Sequence, residues 1–304
     1  MSDRTVTSLN TPAATGRRAL EATGGQPAVS LPFGATVSSV HLRDGSLLRY
    51  AFAGRGKPLV LMHTIRTQLE YFERLAPILA ASRRVYLLDL PGHGGSSIVR
   101  TEHTESFFRS AVREFIATLD LRDVTLVGES IGGVLALTLA AEMPDRVSRV
   151  VSLNPYDYGE RFGGGVRRSR NGWIVALFRL FGPYTVELKL LLAAVLRGGL
   201  HDPSRMPPEL LTTLHRTGKR RGYRRAEHSV FRNWKSWIDA RRLYPQISVP
   251  VTLVYGRNDW SLPAERERNR STIPNAELIE MEDAGHFTSL ERPEEVAKIV
   301  LARA

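Results

Sequence analysis

The spacing of hydrophobic and polar residues divides the chain into a strand-and-helix region and a purely helical one. From Ala35 the pattern is strand-like: Val37 to Leu42 and Leu47 to Ala53 flank Arg43-Asp44-Gly45, which predicts a β-hairpin around a D-G turn. Pro58 to Met62 (PLVLM) is apolar throughout, as expected of a strand buried on both faces. A helix is predicted from Gln68 to Ala80, and a further buried strand from Arg84 to Leu88. Phe107, Phe108, Ala111, Val112, Phe115 and Leu119 fall at helical spacing. Val124 to Val127 then reads as a strand, Ser130 to Glu142 as a helix, and Val147 to Leu153 as a strand. Strands alternating with helices predict an α/β fold, a mostly parallel twisted sheet flanked by helices.

The alternation stops at about Asn154. Between Tyr158 and Arg242 there is no strand pattern, only helical segments broken by Gly and Pro. Ile174, Leu177, Phe178 and Phe181 form one apolar stripe and Val186 to Leu196 a second, while Arg179, Pro183, Glu187 and Lys189 argue against a membrane span. Strand and helix resume at Val249 to Tyr255 and Ala276 to Met281. Pro293 to Leu301 closes the chain as a helix with Glu294 and Glu295 in its first turn, where its dipole favours them. The expected organisation is a disordered tail over residues 1–34, a core domain of residues 35–157 and 243–304, and a helical cap, or lid, inserted at 158–242. The tail lacks the apolar core of a secretory signal; Arg17 and Arg18 suit a targeting peptide only weakly.

Composition narrows the chemistry. At 304 residues and 42% hydrophobic content the chain can bury a large core. It has no cysteine, which removes disulfides, thiol nucleophiles and cysteine-ligated metals, and fits a reducing, cytoplasmic location. The net charge of +11 is concentrated in one place. Residues 160–242 hold 18 Lys and Arg against 6 Asp and Glu, most densely at Lys219-Arg220-Arg221-Gly222-Tyr223-Arg224-Arg225. Such a run suits an anionic substrate, an anionic membrane surface or a plain solvated face; nucleic acid is disfavoured because no recognised nucleic-acid module surrounds it.

The most informative stretch is Gly128-Glu129-Ser130-Ile131-Gly132, a G-x-S-x-G between a β-rich run and a helix-forming run. A sharp strand-to-helix turn leaves no room for side chains two positions either side of its tip, and it holds the serine hydroxyl out beside the free N–H groups of the helix start. Serine also suits a plain helix cap there. A serine nucleophile needs a base and an acid that orients the base. His286 and Asp259 each follow a predicted strand, and parallel strands bring those ends to the edge that carries Ser130. Asp157 is a rival acid.

Taken in order, Asp89-Leu90-Pro91-Gly92-His93-Gly94, Gly128 to Gly132, Gly256-Arg257-Asn258-Asp259 and Ala284-Gly285-His286-Phe287 resemble four motifs of the α/β-hydrolase fold superfamily. The resemblance runs from about residue 35 to the C-terminus, with the insertion in the usual lid position. It implies a serine hydrolase with Ser130, Asp259 and His286 as triad, needing neither metal nor other cofactor. It also implies oxyanion donors on Ile131 and Ile65. The chain has His63-Thr64 where the family usually carries His-Gly, so either that loop is shaped differently or the Thr64 hydroxyl assists. Arg66 either holds a substrate anion or pairs with a neighbouring acid. The expected substrate is a carboxylic ester or lactone with an apolar part. Carbon–carbon bond hydrolysis, acyl transfer and a catalytically silent ligand-binding relative remain as alternatives.

Overall fold

The computed structural model describes residues 31, 33–159, 162, 164–169, 171–186 and 188–302. Nearly all of the expected tail, with Arg17 and Arg18, lies outside the described residues, as do Glu160 and Glu187. Eight strands form one sheet: β1 (Thr36–His41), β2 (Leu47–Ala53), β3 (Pro58–Met62), β4 (Arg84–Leu88), β5 (Val124–Glu129), β6 (Val147–Leu153), β7 (Val251–Gly256) and β8 (Glu277–Met281). Their order is β1-β2-β4-β3-β5-β6-β7-β8. β2 is antiparallel to both its neighbours, and the pairs from β4 to β8 are all parallel. The hairpin closes through the Leu42 N–H, which donates to Ser46 O at 2.8 Å.

Helices cover both faces: α1 (Ala76–Ala80), α2 (Glu105–Thr118), α3 (Ile131–Glu142), α4 (Trp173–Phe181), α5 (Lys189–Arg197), α6 (Pro208–Gly218), α7 (Tyr223–Arg232), α8 (Trp234–Asp239), α9 (Pro263–Thr272), α10 (Thr288–Glu291) and α11 (Pro293–Leu301). The pleat sorts the core. In β3, Val60 and Met62 pack with Phe108 and Val112 of α2 and Val134 and Leu135 of α3. Leu59 and Leu61 turn to the other face, with Ala76 and Leu79 of α1 and Val296 and Val300 of α11. Burying a side chain of this size stabilises the fold by roughly 1.5–3 kcal/mol.

One expectation needs correction. The helix expected over Gln68–Ala80 is broken into a 3₁₀ turn at Leu69–Phe72 and the short α1. Pro77 inside a continuous helix would lose its hydrogen bond and collide with the carbonyl four residues back, so the helix restarts with Pro77 in its first turn. The stripe of α4 is not one buried face: Ile174 and Phe178 are buried, whereas Leu177 and Phe181 are exposed.

Among the described residues, α4 to α8 follow one another between β6 and β7 with no strand among them. This helical block is rooted in both halves of the core, by Trp234 and Trp237 on one face and by Leu192, Leu210 and Leu214 on the other. The turns that leave β5, β7 and β8 lie at the same edge of the sheet, since these strands are parallel.

Candidate active site

β5 runs directly into α3 through Ser130, whose backbone is held at φ 61° and ψ −117°. A non-glycine residue pays strain of about 1–3 kcal/mol there, and persists only if its surroundings fix it. Three backbone bonds do so: Ser130 N–H donates to Leu153 O at 2.9 Å, and Ser130 O accepts from Val134 N at 3.2 Å and Tyr156 N at 3.1 Å. The flanking glycines are spatial requirements. A Cβ on Gly128 would stand 2.0 Å from Gly132 O, and one on Gly132 would stand 2.1 Å from Met62 O and 2.9 Å from His63 O. Gly132 therefore lets the start of α3 rest against the end of β3. Gly132→Ala is expected to lower stability by about 3 kcal/mol or more, as overpacking against backbone does, and to lower kcat along with Tm.

His286 lies between the two other candidates. Its Nε2 is 2.9 Å from Ser130 Oγ and its Nδ1 is hydrogen-bonded to Asp259 Oδ1. The Trp260 ring stacks on the imidazole at a centroid distance of 4.0 Å, with Tyr156 edge-on at 5.4 Å. Asp259 accepts further bonds at Oδ2 from the Ser261 N–H at 3.0 Å, the Ser261 hydroxyl and the Tyr158 hydroxyl at 3.3 Å. Burial alone would raise its pKa, but His286 and these donors outweigh it and hold the carboxyl below its ordinary value. The two loops are laced together by Asn258 N–H to Ala284 O at 2.9 Å, and His286 N–H donates to Gly199 O of the helical block at 2.6 Å. Ser130 and His286 are buried.

Asp157 is elsewhere. Its carboxylate accepts from Tyr244 OH at 2.7 Å and from Asn269 Nδ2 at 3.0 and 3.1 Å, and burial raises its pKa.

The loop after β3 is ordered by a histidine. Leu90 N–H donates to His63 Nε2 at 3.0 Å, so the ring proton sits on Nδ1, which donates to Thr64 O at 2.7 Å. Thr64 O also accepts from Thr67 Oγ1 at 2.8 Å. A trans peptide points its N–H opposite to its carbonyl, so the Ile65 N–H faces away from this cluster. The left-handed residue of the loop is Arg66, at φ 64°; Thr64 and Ile65 keep negative φ, which is how threonine is accommodated where glycine is usual. Arg66 pairs with buried Glu227 of α7, Nε to Oε1 at 2.9 Å.

His63 faces His93 at a ring distance of 5.1 Å. Burial pushes both below the ordinary histidine value, His93 to about 4. A depressed histidine contributes stability that is present above its unfolded value of 6.5 and is lost as pH falls toward about 4. His93→Gln should therefore flatten the acid side of the stability curve by roughly 2–3 kcal/mol, read as the difference from wild type in urea unfolding at pH 7.5 and 4.5. Identical slopes for the two proteins would contradict it.

Residues 59–299 match the Alpha/beta hydrolase family. The chain belongs to that family. Among relatives, this hydrolase is 30% identical over 249 residues to "Pimeloyl-[acyl-carrier protein] methyl ester esterase" of Neisseria meningitidis serogroup B / serotype 15 (strain H44/76), covering 80% of this chain and 91% of the relative. It is 30% identical over 261 residues to "Dihydrolipoyllysine-residue acetyltransferase component of acetoin cleaving system" of Pseudomonas putida. That match covers 85% of this chain but spans only 66% of the relative's length. In architecture it is similar to Cfl2 from Burkholderia cenocepacia, with a TM-score of 0.75 at 20% identity over 89% of this chain and 97% of that one.

Three residues of the hydrolase's candidate site have no counterpart in the sequence reading. Glu129, buried next to Ser130, accepts from Tyr71 OH and Thr288 Oγ1, each at 2.7 Å; burial raises its pKa and these donors restrain it. A lone acid ending an apolar strand was the available signal. Asn154, at φ 43°, donates to His286 O at 3.1 Å and accepts from Gly256 N–H at 2.8 Å, joining β6, β7 and the histidine loop. Trp260, which stacks on His286, follows Asp259 directly. Among the described residues no helix is long and apolar enough to cross a membrane, and no three His, Asp or Glu gather so as to hold a metal ion.

Proposed function

We propose that this member of the family is a serine hydrolase that cleaves a carboxylic ester or lactone through an acyl-enzyme on Ser130. The observation that carries the reading is the unbroken line Ser130 Oγ, His286 Nε2, His286 Nδ1, Asp259 Oδ1, set on a strained elbow at a helix start. With the proton of neutral His286 held on Nδ1 by Asp259, Nε2 accepts the Ser130 proton as Oγ bonds to the acyl carbon. The carbonyl π electrons move to oxygen, and the resulting oxyanion is received by the N–H groups of Ile131 and Ile65. Collapse expels the alkoxide, which takes the proton from Nε2. Water, deprotonated by the same nitrogen, then releases the acid and restores Ser130.

Residues 158–242 serve as the cap, over a core of residues 35–157 and 243–304. Cap and loop together set which substrates enter, with Thr64 beside the oxyanion position and Arg66 joined to the cap through Glu227. The substrate is a small ester with an apolar part. A relative named as a methyl ester esterase supports ester cleavage, and the intact line of three side chains supports an enzyme over a silent binding protein. The test is a fluorophosphonate probe, which should label wild-type protein at Ser130 and leave Ser130→Ala unlabelled. Folded wild-type protein that resists the probe would refute the reading.

A further inference from the structure

The outer face of the cap has a composition that chemistry at Ser130 does not explain. Leu180, Phe181, Tyr184, Val186, Leu188 and Leu190, on α4, α5 and the turn between them, stand in solvent, Tyr184 at 93% and Leu190 at 84% exposure. Large exposed apolar side chains this dense along one short stretch of chain are the material of a docking site. The chemistry beside them indicates the partner. Tyr184 and Val186 line a hollow of about 430 Å³ together with Lys219, Arg220, Arg224 and Arg225. Arg220 donates to the carbonyls of Gly94 and, at 3.0 Å, Ser96, and the Arg224 guanidinium lies 4.6 Å from the Phe178 ring centre. Both therefore hold their places in the wall, while Lys219, Arg221 and Arg225 are exposed. Val186 also lines an adjoining crevice of about 60 Å³ with Leu177, Leu188 and Arg66.

We propose that this face of the cap docks on an anionic lipid bilayer, its apolar side chains entering the acyl region and its basic hollow meeting headgroup phosphates. Apolar side chains beside a cluster of Lys and Arg are the composition of an element that lies in a membrane interface, and no described helix is fit to span one. A second copy of the chain is the poorer occupant, because a two-fold contact through this face would set one basic hollow against another. The crevice adds a route. It runs from the apolar face to Arg66, next to the Thr64–Ile65 peptide, and once widened it is the path we assign to an ester moving from the lipid toward Ser130. That route rests on the hydrolase reading above; docking does not.

The experiment is sedimentation of the full chain with extruded vesicles of phosphatidylcholine, alone or with phosphatidylglycerol. Wild-type protein should pellet with the anionic vesicles. The triple variant Lys219→Gln, Arg221→Gln, Arg225→Gln should partition about 10²-fold more weakly onto them. Phe181→Ser with Leu180→Ser and Leu190→Ser should leave only binding that salt removes. Wild-type protein that stays in the supernatant with both compositions would overturn the proposal, as would equal partitioning of all three proteins. A dimer in gel filtration that the serine variant abolishes, without vesicle binding, would assign the face to a second copy. The route is tested separately: the serine variant should keep wild-type rates on a short water-soluble ester and lose about tenfold on a long-chain ester held in anionic vesicles. Wild-type inactivity on both esters with intact pelleting would remove the hydrolase reading and leave docking standing.

Discussion

Ser130→Ala is expected to lower kcat for a p-nitrophenyl ester by about 10⁶-fold while leaving KM and Tm close to wild type. The split follows from what the substitution removes. Oγ is the only atom lost, and with it the acyl-enzyme. The Cβ that strains the elbow is retained, as are the backbone bonds to Leu153, Val134 and Tyr156 that fix it. The N–H groups of Ile131 and Ile65 remain, so bound ester should still be polarised. Triads stripped of one member retain about 10³–10⁴-fold catalysis over water from those groups and from binding. Steady-state kinetics with calorimetric unfolding read both quantities. A variant that keeps more than about a hundredth of wild-type kcat would place the nucleophile elsewhere, and a large fall in Tm would show that the hydroxyl also holds the elbow together.

The parallel sheet was legible because its strands are continuous apolar runs bounded by turn residues, a local signal; β2, β3, β4 and β6 match their expected limits. The helix over Gln68–Ala80 misled because periodicity continues through Pro77, where the backbone cannot. Ser130, Asp259 and His286 could be nominated because each stands alone after a strand. His286 is 27 positions along the chain from Asp259 and 156 from Ser130, separations that only the topology closes. Supporting residues were hidden for the same reason. Asn154 acts through partners on β7 and after β8, and Glu129 through Tyr71 and Thr288, none of them near in sequence. Between β6 and β7, pattern gave the helices but not their orientation. An apolar stripe reads alike whether it faces the core, as Ile174 does, or water, as Leu190 does.

The two carboxylates that sequence alone left in competition should separate by orders of magnitude. Asp259→Asn is expected to lower kcat by about 10⁴-fold with little change in KM. The amide can turn an N–H toward His286 Nδ1, which then becomes an acceptor; the ring proton moves to Nε2, facing Ser130 Oγ, where it cannot take the hydroxyl proton. Asp157→Asn leaves that tautomer untouched and should act on stability. Its carboxylate accepts from Tyr244 OH at 2.7 Å and from Asn269 Nδ2, and an amide there has one acceptor oxygen for both, which typically costs about 1–3 kcal/mol. The pH dependence has opposite signs at the two positions. Asp259 is depressed, so its contribution to stability is present at neutral pH and is lost as pH falls through its folded value. Asp157 is raised by burial, so its charge is a cost above the ordinary carboxylate value, and that cost is relieved as pH falls through its own raised value. Removing the charge in Asp157→Asn relieves the same cost, which holds the net loss toward the lower end at pH 7. Kinetics and urea unfolding of both variants at pH 7 and pH 5 decide the matter. A kcat collapse in Asp157→Asn with Asp259→Asn near wild type would transfer the acid to Asp157, in the segment after β6.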